Sequence, residues 1–244
     1  MECSIILPAH NEVYFLERCV KSIERHMGKT WRSCEVIITE DGSIDGTDRI
    51  ARRLTEKYRN VKHLHSTVRL GKGKALMNAM NIAQGEIIAF ADVDMPIPSS
   101  FLPKMIEMAK KTDCIIIGSR LIKGSKVSRP VKRILFSILY NILVRILFQD
   151  GIHDHQCGMK AIPRHILFDV LPNIQAEGYF WDTAFLVKTK SKKYKVFEVP
   201  VEYRDRAIVY SSMKSVYITS FIMMRELFKL WWRIKPFNFE KYAK

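Results

Sequence analysis

Two carboxylates two residues apart, Asp92 and Asp94, close the short apolar run 87–91 in the stretch Glu86-Ile-Ile-Ala-Phe-Ala-Asp92-Val-Asp94-Met-Pro96. An apolar run of this length suits a central strand covered on both faces. Pro96 and Pro98 stop its continuation. Carboxylates at a strand end are hard oxygen ligands, and a divalent ion held by one or two of them commonly shares a substrate's phosphates. Taken alone, Asp-X-Asp is common by chance and reads more often as a solvated strand-end turn. Other residues able to do chemistry follow other apolar runs: His10-Asn11-Glu12 after 3–7, Glu40-Asp41 after 34–39, and Gly118-Ser119-Arg120 after 114–117. A Gly-rich basic loop, Arg69-Leu-Gly71-Lys72-Gly73-Lys74, precedes a helical pattern. It lacks the spacing of a P-loop, and no G-x-G-x-x-G follows the first strand, which disfavours a dinucleotide-binding protein. It can still cradle a phosphate at a helix N-terminus, or be a plain turn with solvated lysines.

The elements that must position these residues alternate. Strands are expected at 3–7, 34–39, 61–64, 86–91 and 114–117. Helices are expected between them, the first with Phe15, Leu16, Cys19, Val20 and Ile23 on one face. The next three run over 48–58, 75–83 and 101–111. Five strands and four helices in βαβ order predict an α/β fold with a doubly wound, mostly parallel sheet. Ligands bind such sheets at the carboxyl ends of the strands, where these residues fall.

Composition narrows the partners. The chain has 244 residues, 48% hydrophobic, with 40 Lys+Arg against 25 Asp+Glu, a formal charge of +15. That length suits one large α/β domain, and the charge suits an anionic partner. A nucleic-acid-binding module is disfavoured: the carboxylates cluster at strand ends, and the basic residues are interleaved with aliphatic rather than base-stacking side chains. Five cysteines without a C-x-x-C pair are expected to be reduced core residues of a cytosolic protein. Met1 leads directly into a strand, so no signal peptide is expected.

Taken in order, Pro8-Ala-His10-Asn11-Glu12, Glu40-Asp41-Gly-Ser, Gly71-Lys-Gly73-Lys-Ala, Ala91-Asp92-Val-Asp94 and Gly118-Ser-Arg120 resemble the motifs of inverting family 2 glycosyltransferases of the GT-A fold. Asp154-His-Gln156-Cys-Gly158-Met-Lys160 is similar to the D-x-Q-C-G-F-K signature of the dolichyl-phosphate mannosyl- and glucosyltransferase group. Trp181-Asp182 and Glu198-Val-Pro200-Val also fit it. The resemblance covers residues 2–214. The chain departs from the pattern at His10 (usually Tyr), Glu40 (Asp), Met95 (often Gln) and Ala184 (Glu). The late basic motif is loosened to Arg206 and Ser212-Met-Lys214.

The resemblance implies a catalytic domain over 1–210 and a C-terminal amphipathic helical segment over 211–244. The donor, GDP-mannose or UDP-glucose, would meet Pro8, His10, Glu12, Thr39, Asp41, Lys74, Asp92, Val93, Asp94, Arg206 and Lys214. Asp92 and Asp94 would hold Mg²⁺ or Mn²⁺ against its diphosphate. Asp94, Asp182 and Arg120 would be catalytic. Arg120, Arg129, Arg133 and Gln156 would bind the acceptor phosphate. A polyprenyl or dolichyl phosphate, with a second pKa of about 6, is already an anionic nucleophile at neutral pH and needs cations more than a base. A saccharide hydroxyl acceptor would instead need one, from Asp182 or Asp154.

Two segments bear on the membrane. Residues 134–148 and 216–232 are too short and too charged to span a bilayer of about 20 apolar residues. In the first, Arg133, Ser137, Asn141 and Arg145 recur every fourth residue as one narrow polar stripe on an otherwise apolar helix. That suits an interface helix over about 130–149, lying in the headgroup region; the alternative is a buried core helix. Trp231 and Trp232 beside Arg233 and Lys235 repeat the theme. The expectation is peripheral association with a cytoplasmic membrane face, with room for a membrane-anchoring partner.

Overall fold

The computed structural model describes residues 1–174, 178–205 and 213–234, with the side chains of 173 and 213–220 left aside. Its centre is a seven-stranded sheet in the order β3-β2-β1-β4-β7-β5-β8. The strands are β1 (Cys3–Ala9), β2 (Cys34–Asp41), β3 (Val61–Ser66), β4 (Ile87–Phe90), β5 (Ile115–Ser119), β7 (Lys160–Pro163) and β8 (Val196–Pro200). β6 (Lys126–Ser128) and β9 (Glu202–Arg204) form a separate parallel pair. β1 to β4 run parallel, as their apolar patterning predicts. β2 and β4 are buried along their whole length. β4 accordingly reads as an unbroken apolar run, whereas β2 also buries Glu35, Thr39, Glu40 and Asp41 around its apolar centre.

Helices cover both faces. α1 (Leu16–Met27), α2 (Thr47–Lys57) and α4 (Phe101–Thr112) bury Leu16, Ile23, Leu54 and Leu102 against one face of the sheet. α3 (Lys72–Ile82), α6 (Arg164–Val170) and α7 (Trp181–Ser191) cover the other, with Leu76, Ile166 and Trp181 in its core. α5 (Val131–Phe148) and α8 (Met213–Ile234) pack outside this second layer and against each other. No helix among the described residues is long and apolar enough to cross a membrane.

Two expectations need correction. The five-strand alternation omits β7, which inserts antiparallel between β4 and β5. Its four residues begin with a lysine and end with a proline, so it carries no apolar period. The cysteines are not all reduced. Cys3 and Cys34 are register partners on β1 and β2, 4.6 Å apart at Cα, and form a disulfide. Cys19, Cys114 and Cys157 are free and buried.

Candidate active site

The parallel register of β1, β2 and β4 brings the loops after Ala9, Asp41 and Phe90 to one edge of the sheet. β5 ends on the same edge, because β7 is antiparallel to both β4 and β5. Arg120 therefore joins the residues that follow the earlier strands.

The centre of this edge is acidic. Asp92 accepts a hydrogen bond from Lys72 Nζ at 2.8 Å. Burial alone would raise the Asp92 carboxyl, but Lys72, aided by Lys160 and Arg120, holds it below the usual carboxylate range. Burial would likewise discharge Lys72, yet the field of Asp92 and Asp182 keeps it firmly protonated. Glu12 lies beside them. Burial first, then the charges of Asp94, Asp92 and Asp45, push its carboxyl up to about 7. Glu12, Asp92 and Asp94 are thus mutually repelling carboxylates, oxygen donors of the kind Mg²⁺ or Mn²⁺ takes, but among the described residues they are not gathered as three ligand atoms within 4.8 Å of one another. Gly158 makes room for this arrangement, because a Cβ there would fall 1.8 Å from Asp92 Oδ2.

On the β1–β2 side the loops lock one another. His10 Nδ1 donates to the Asp41 carbonyl at 2.7 Å. The Asp41 carboxylate accepts the backbone N–H groups of Leu70 and Gly71 at 2.5 and 2.9 Å, so it orders the Gly-rich loop. Asn11 holds a left-handed backbone, φ 57°, and accepts from the Ile44 N–H. Thr39 is buried and donates to the Ala75 carbonyl in α3. Val93 is a core residue, and Pro8 pairs with Thr39 in the sheet. Lys74 is exposed on α3; its neighbour Lys72, in the first turn, is the lysine that reaches the carboxylates.

The opposite side is basic but internally paired. Arg120 grips Asp154 bidentately, Nε and Nη2 donating at 2.7 and 2.8 Å. Asp154, fully buried, also accepts the N–H groups of Arg120 and Gln156. Arg129 and Arg133 both reach Asp205 Oδ2, at 3.2 and 3.0 Å. Arg120 and Arg129 lie over the Tyr203 ring. Asp182 accepts from Lys160 at 2.5 Å, in a nearly dry ion pair. The Gln156 amide approaches the Tyr179 carbonyl and Met223 Sδ of α8, each at 3.5 Å. Arg206 and the Lys214 side chain lie outside the described residues.

α5 borders the site through Arg133 and through Tyr140, whose hydroxyl meets Thr183 beside Asp182 at 2.9 Å. The polar stripe faces inward: Asn141 is buried and accepts from His155. The apolar face looks out, with Val131, Leu135, Leu139 and Ile146 exposed. Among the described residues, α5 is therefore not buried on most sides. On α8, Leu227 is buried and Phe221, Phe228 and Trp232 are exposed.

Sequence reasoning missed Lys72 and Lys160 as charges of the site. Lys72 sits in the same Gly-rich loop as the chosen Lys74, and only the direction of the first helical turn separates them. Lys160 was visible as the last residue of the Asp154–Lys160 motif. His153 and His155 do not form a soft-metal cluster with Cys157, since they pair instead with Glu198 and with Asp150 and Asn141.

Residues 4–171 match the family model described as glycosyl transferase family 2. Glycosyltransferase AglD of Haloferax volcanii is 30% identical over 240 residues, 96% of this chain and 38% of that protein. The dolichyl-phosphate beta-glucosyltransferase ALG5C of Trichomonas vaginalis is 28% identical over 220 residues, 83% of this chain and 64% of that one. The chain thus spans less than two thirds of the curated relatives it matches. Among solved structures, glucosyl-3-phosphoglycerate synthase from Mycobacterium tuberculosis in complex with UDP superposes with a TM-score of 0.73 at 18% identity. The match covers 94% of this chain and 80% of that one. The same enzyme with Mn²⁺, UDP and glucosyl-3-phosphoglycerate gives 0.70 at 19%, covering 94% and 79%. The architecture is that of the GT-A fold.

Proposed function

The chain belongs to glycosyl transferase family 2, and on that premise we propose that it transfers a hexose, with inversion, from a nucleotide sugar to a polyprenyl or dolichyl phosphate at a membrane surface. One observation carries this reading: the carboxylate edge of the sheet is bordered by α5 and α8, which turn apolar faces outward. A water-soluble acceptor needs no such border, whereas a lipid phosphate must be lifted to the site from a surface. The names of the dolichyl-phosphate glucosyltransferase relatives support the acceptor. Those names, and the UDP complexes of the similar structures, favour UDP-glucose over GDP-mannose.

Asp92 and Asp94 would hold Mg²⁺ or Mn²⁺, which supplies charge stabilisation to a departing diphosphate, with Glu12 beside them on the donor side. Lys72 keeps Asp92 ionised and adds a fixed positive charge beside it. His10 and Asp41 shape the nucleoside side through the loops they tie. The acceptor phosphate is drawn by Arg129 and Arg133, which trade part of their bond to Asp205 for the ligand. Arg120 positions the Asp154 loop and leaves its cationic face on Tyr203.

The hydroxyl-acceptor alternative loses one of its two bases. Asp154 already accepts four donors, which fills its lone-pair sites. Asp182 is held by Lys160, and a phosphate acceptor does not require it. The test is incubation with radiolabelled UDP-glucose or GDP-mannose, Mn²⁺ and short polyprenyl phosphate. Organic-extractable label that disappears in Asp94→Ala is the expected result. Absence of a lipid product with either donor would refute the reading.

A further inference from the structure

β2 and β3 carry a second group of metal-binding residue types, apart from Glu12, Asp92 and Asp94. Glu40 and His65 are register partners, and His63 precedes His65 by two residues, so all three share one face. β3 is the edge strand of the sheet. One ligand atom from each residue lies within 4.8 Å of the other two. The Glu40 carboxylate is buried and anchored: one oxygen accepts the Ser43 N–H, and the other is 2.5 Å from His65 Nδ1. His63 Nε2 is buried with no hydrogen-bond partner, although buried ring nitrogens normally have one.

We propose that Glu40, His63 and His65 bind a divalent transition metal of the zinc type, with a fourth position left to water. Two imidazoles and a carboxylate are a donor set that zinc takes in three-ligand sites with an open position. Imidazole nitrogen also separates this site chemically from the all-oxygen donors at Asp92, which suit Mg²⁺ or Mn²⁺. Bonds of about 2.0–2.1 Å in a tetrahedron place neighbouring donors about 3.3 Å apart. The His65–Glu40 contact therefore opens by under about 1 Å, and the His65 side chain, 36% exposed, is free to turn. The proton on Nδ1 moves to Nε2, so the ring stays neutral as the metal replaces the hydrogen bond. The Ser43 N–H keeps the carboxylate oriented, as outer partners of metal ligands do. Glu40 adjoins Asp41, which orders the Gly-rich loop. An ion here ties together the two strand ends beneath that loop.

This proposal stands independently of sugar transfer, and its test uses no activity. The full chain, stripped with EDTA, is titrated with Co²⁺ and followed by its tetrahedral visible absorption, then challenged with Zn²⁺. One ion per chain, displaced by Zn²⁺ and retained in Asp92→Asn, is expected. His63→Ala and His65→Ala should each weaken binding at least about 100-fold, the upper end of what losing even an outer partner costs. Zn²⁺ should raise the melting temperature of the native chain and not that of His65→Gln, an exposed change that leaves the fold intact. Absence of a cobalt band in the native chain, or a band that survives in both histidine variants, overturns the proposal.

Discussion

At the scale of single residues, the site depends on how tightly Asp92 is held. Lys72 fixes its charge and Gly158 its position. A methyl group at 158 would overlap Asp92 Oδ2, so Gly158→Ala must push the carboxylate aside. A displacement of about 1 Å costs on the order of 100-fold in rate. Measured kcat/KM for Gly158→Ala should therefore fall by about that factor. Glu12 makes a different prediction. Its carboxyl titrates near 7 in the folded chain against an ordinary value of 4.5. Between those values the folded state binds more protons than the unfolded one, so stability falls as pH rises through this window. Denaturant unfolding of the metal-free chain should show that decline, and Glu12→Gln should remove it. A native chain as stable at pH 7.5 as at pH 5 would show that the neighbouring charges do not act on Glu12 as inferred.

At the scale of elements, α5 links the site to its proposed surface. Its stripe of Arg133, Ser137, Asn141 and Arg145 was legible from fourfold spacing alone, but which way it faced was not. Asn141 is buried against His155 and Arg133 is held by Asp205. The polar stripe is therefore the inner face and the aliphatic residues form the outer one. Membrane affinity should then reside in Leu135 and Leu139, 56% and 54% exposed, more than in Arg133. Burying a leucine side chain contributes about 1.5–3 kcal/mol, and 1.4 kcal/mol is tenfold in affinity. The double change Leu135→Glu, Leu139→Glu should weaken sedimentation with anionic vesicles by at least about tenfold. Stability should shift by no more than about 0.5 kcal/mol, as for other surface substitutions. Unchanged vesicle binding would remove α5 from the interface.

At the scale of the whole molecule, long-range strand pairing decides which distant residues meet. Cys3 and Cys34 are 31 residues apart and become neighbours only through the β1–β2 register. Closing a loop of that length stabilises a fold by about 2–4 kcal/mol. Cys34→Ala should lower the melting temperature relative to the oxidised chain, and reduction should lower that of the native chain but not of the variant. Equal melting of oxidised and reduced protein would show that the bond contributes nothing. The same pairing puts Glu40 beside His65, and the β7 insertion sets Lys160 against Asp182.

Local apolar periodicity was enough to read the alternation of β1 to β5 with α1 to α4, because buried parallel strands and amphipathic helices each impress their own period on the chain. Asp92 and Asp94 at a strand end, and their neighbours after the other strands, were legible for the same reason: parallel strands deliver their ends to one edge. Partner choice was not legible. Whether Lys72 or Lys74 turns to Asp92, whether Arg120 is open or clamped to Asp154, and whether a cysteine is free all depend on groups brought within a few ångströms by strand register and helix packing. Those distances are properties of the closed tertiary structure, and no spacing along the chain encodes them.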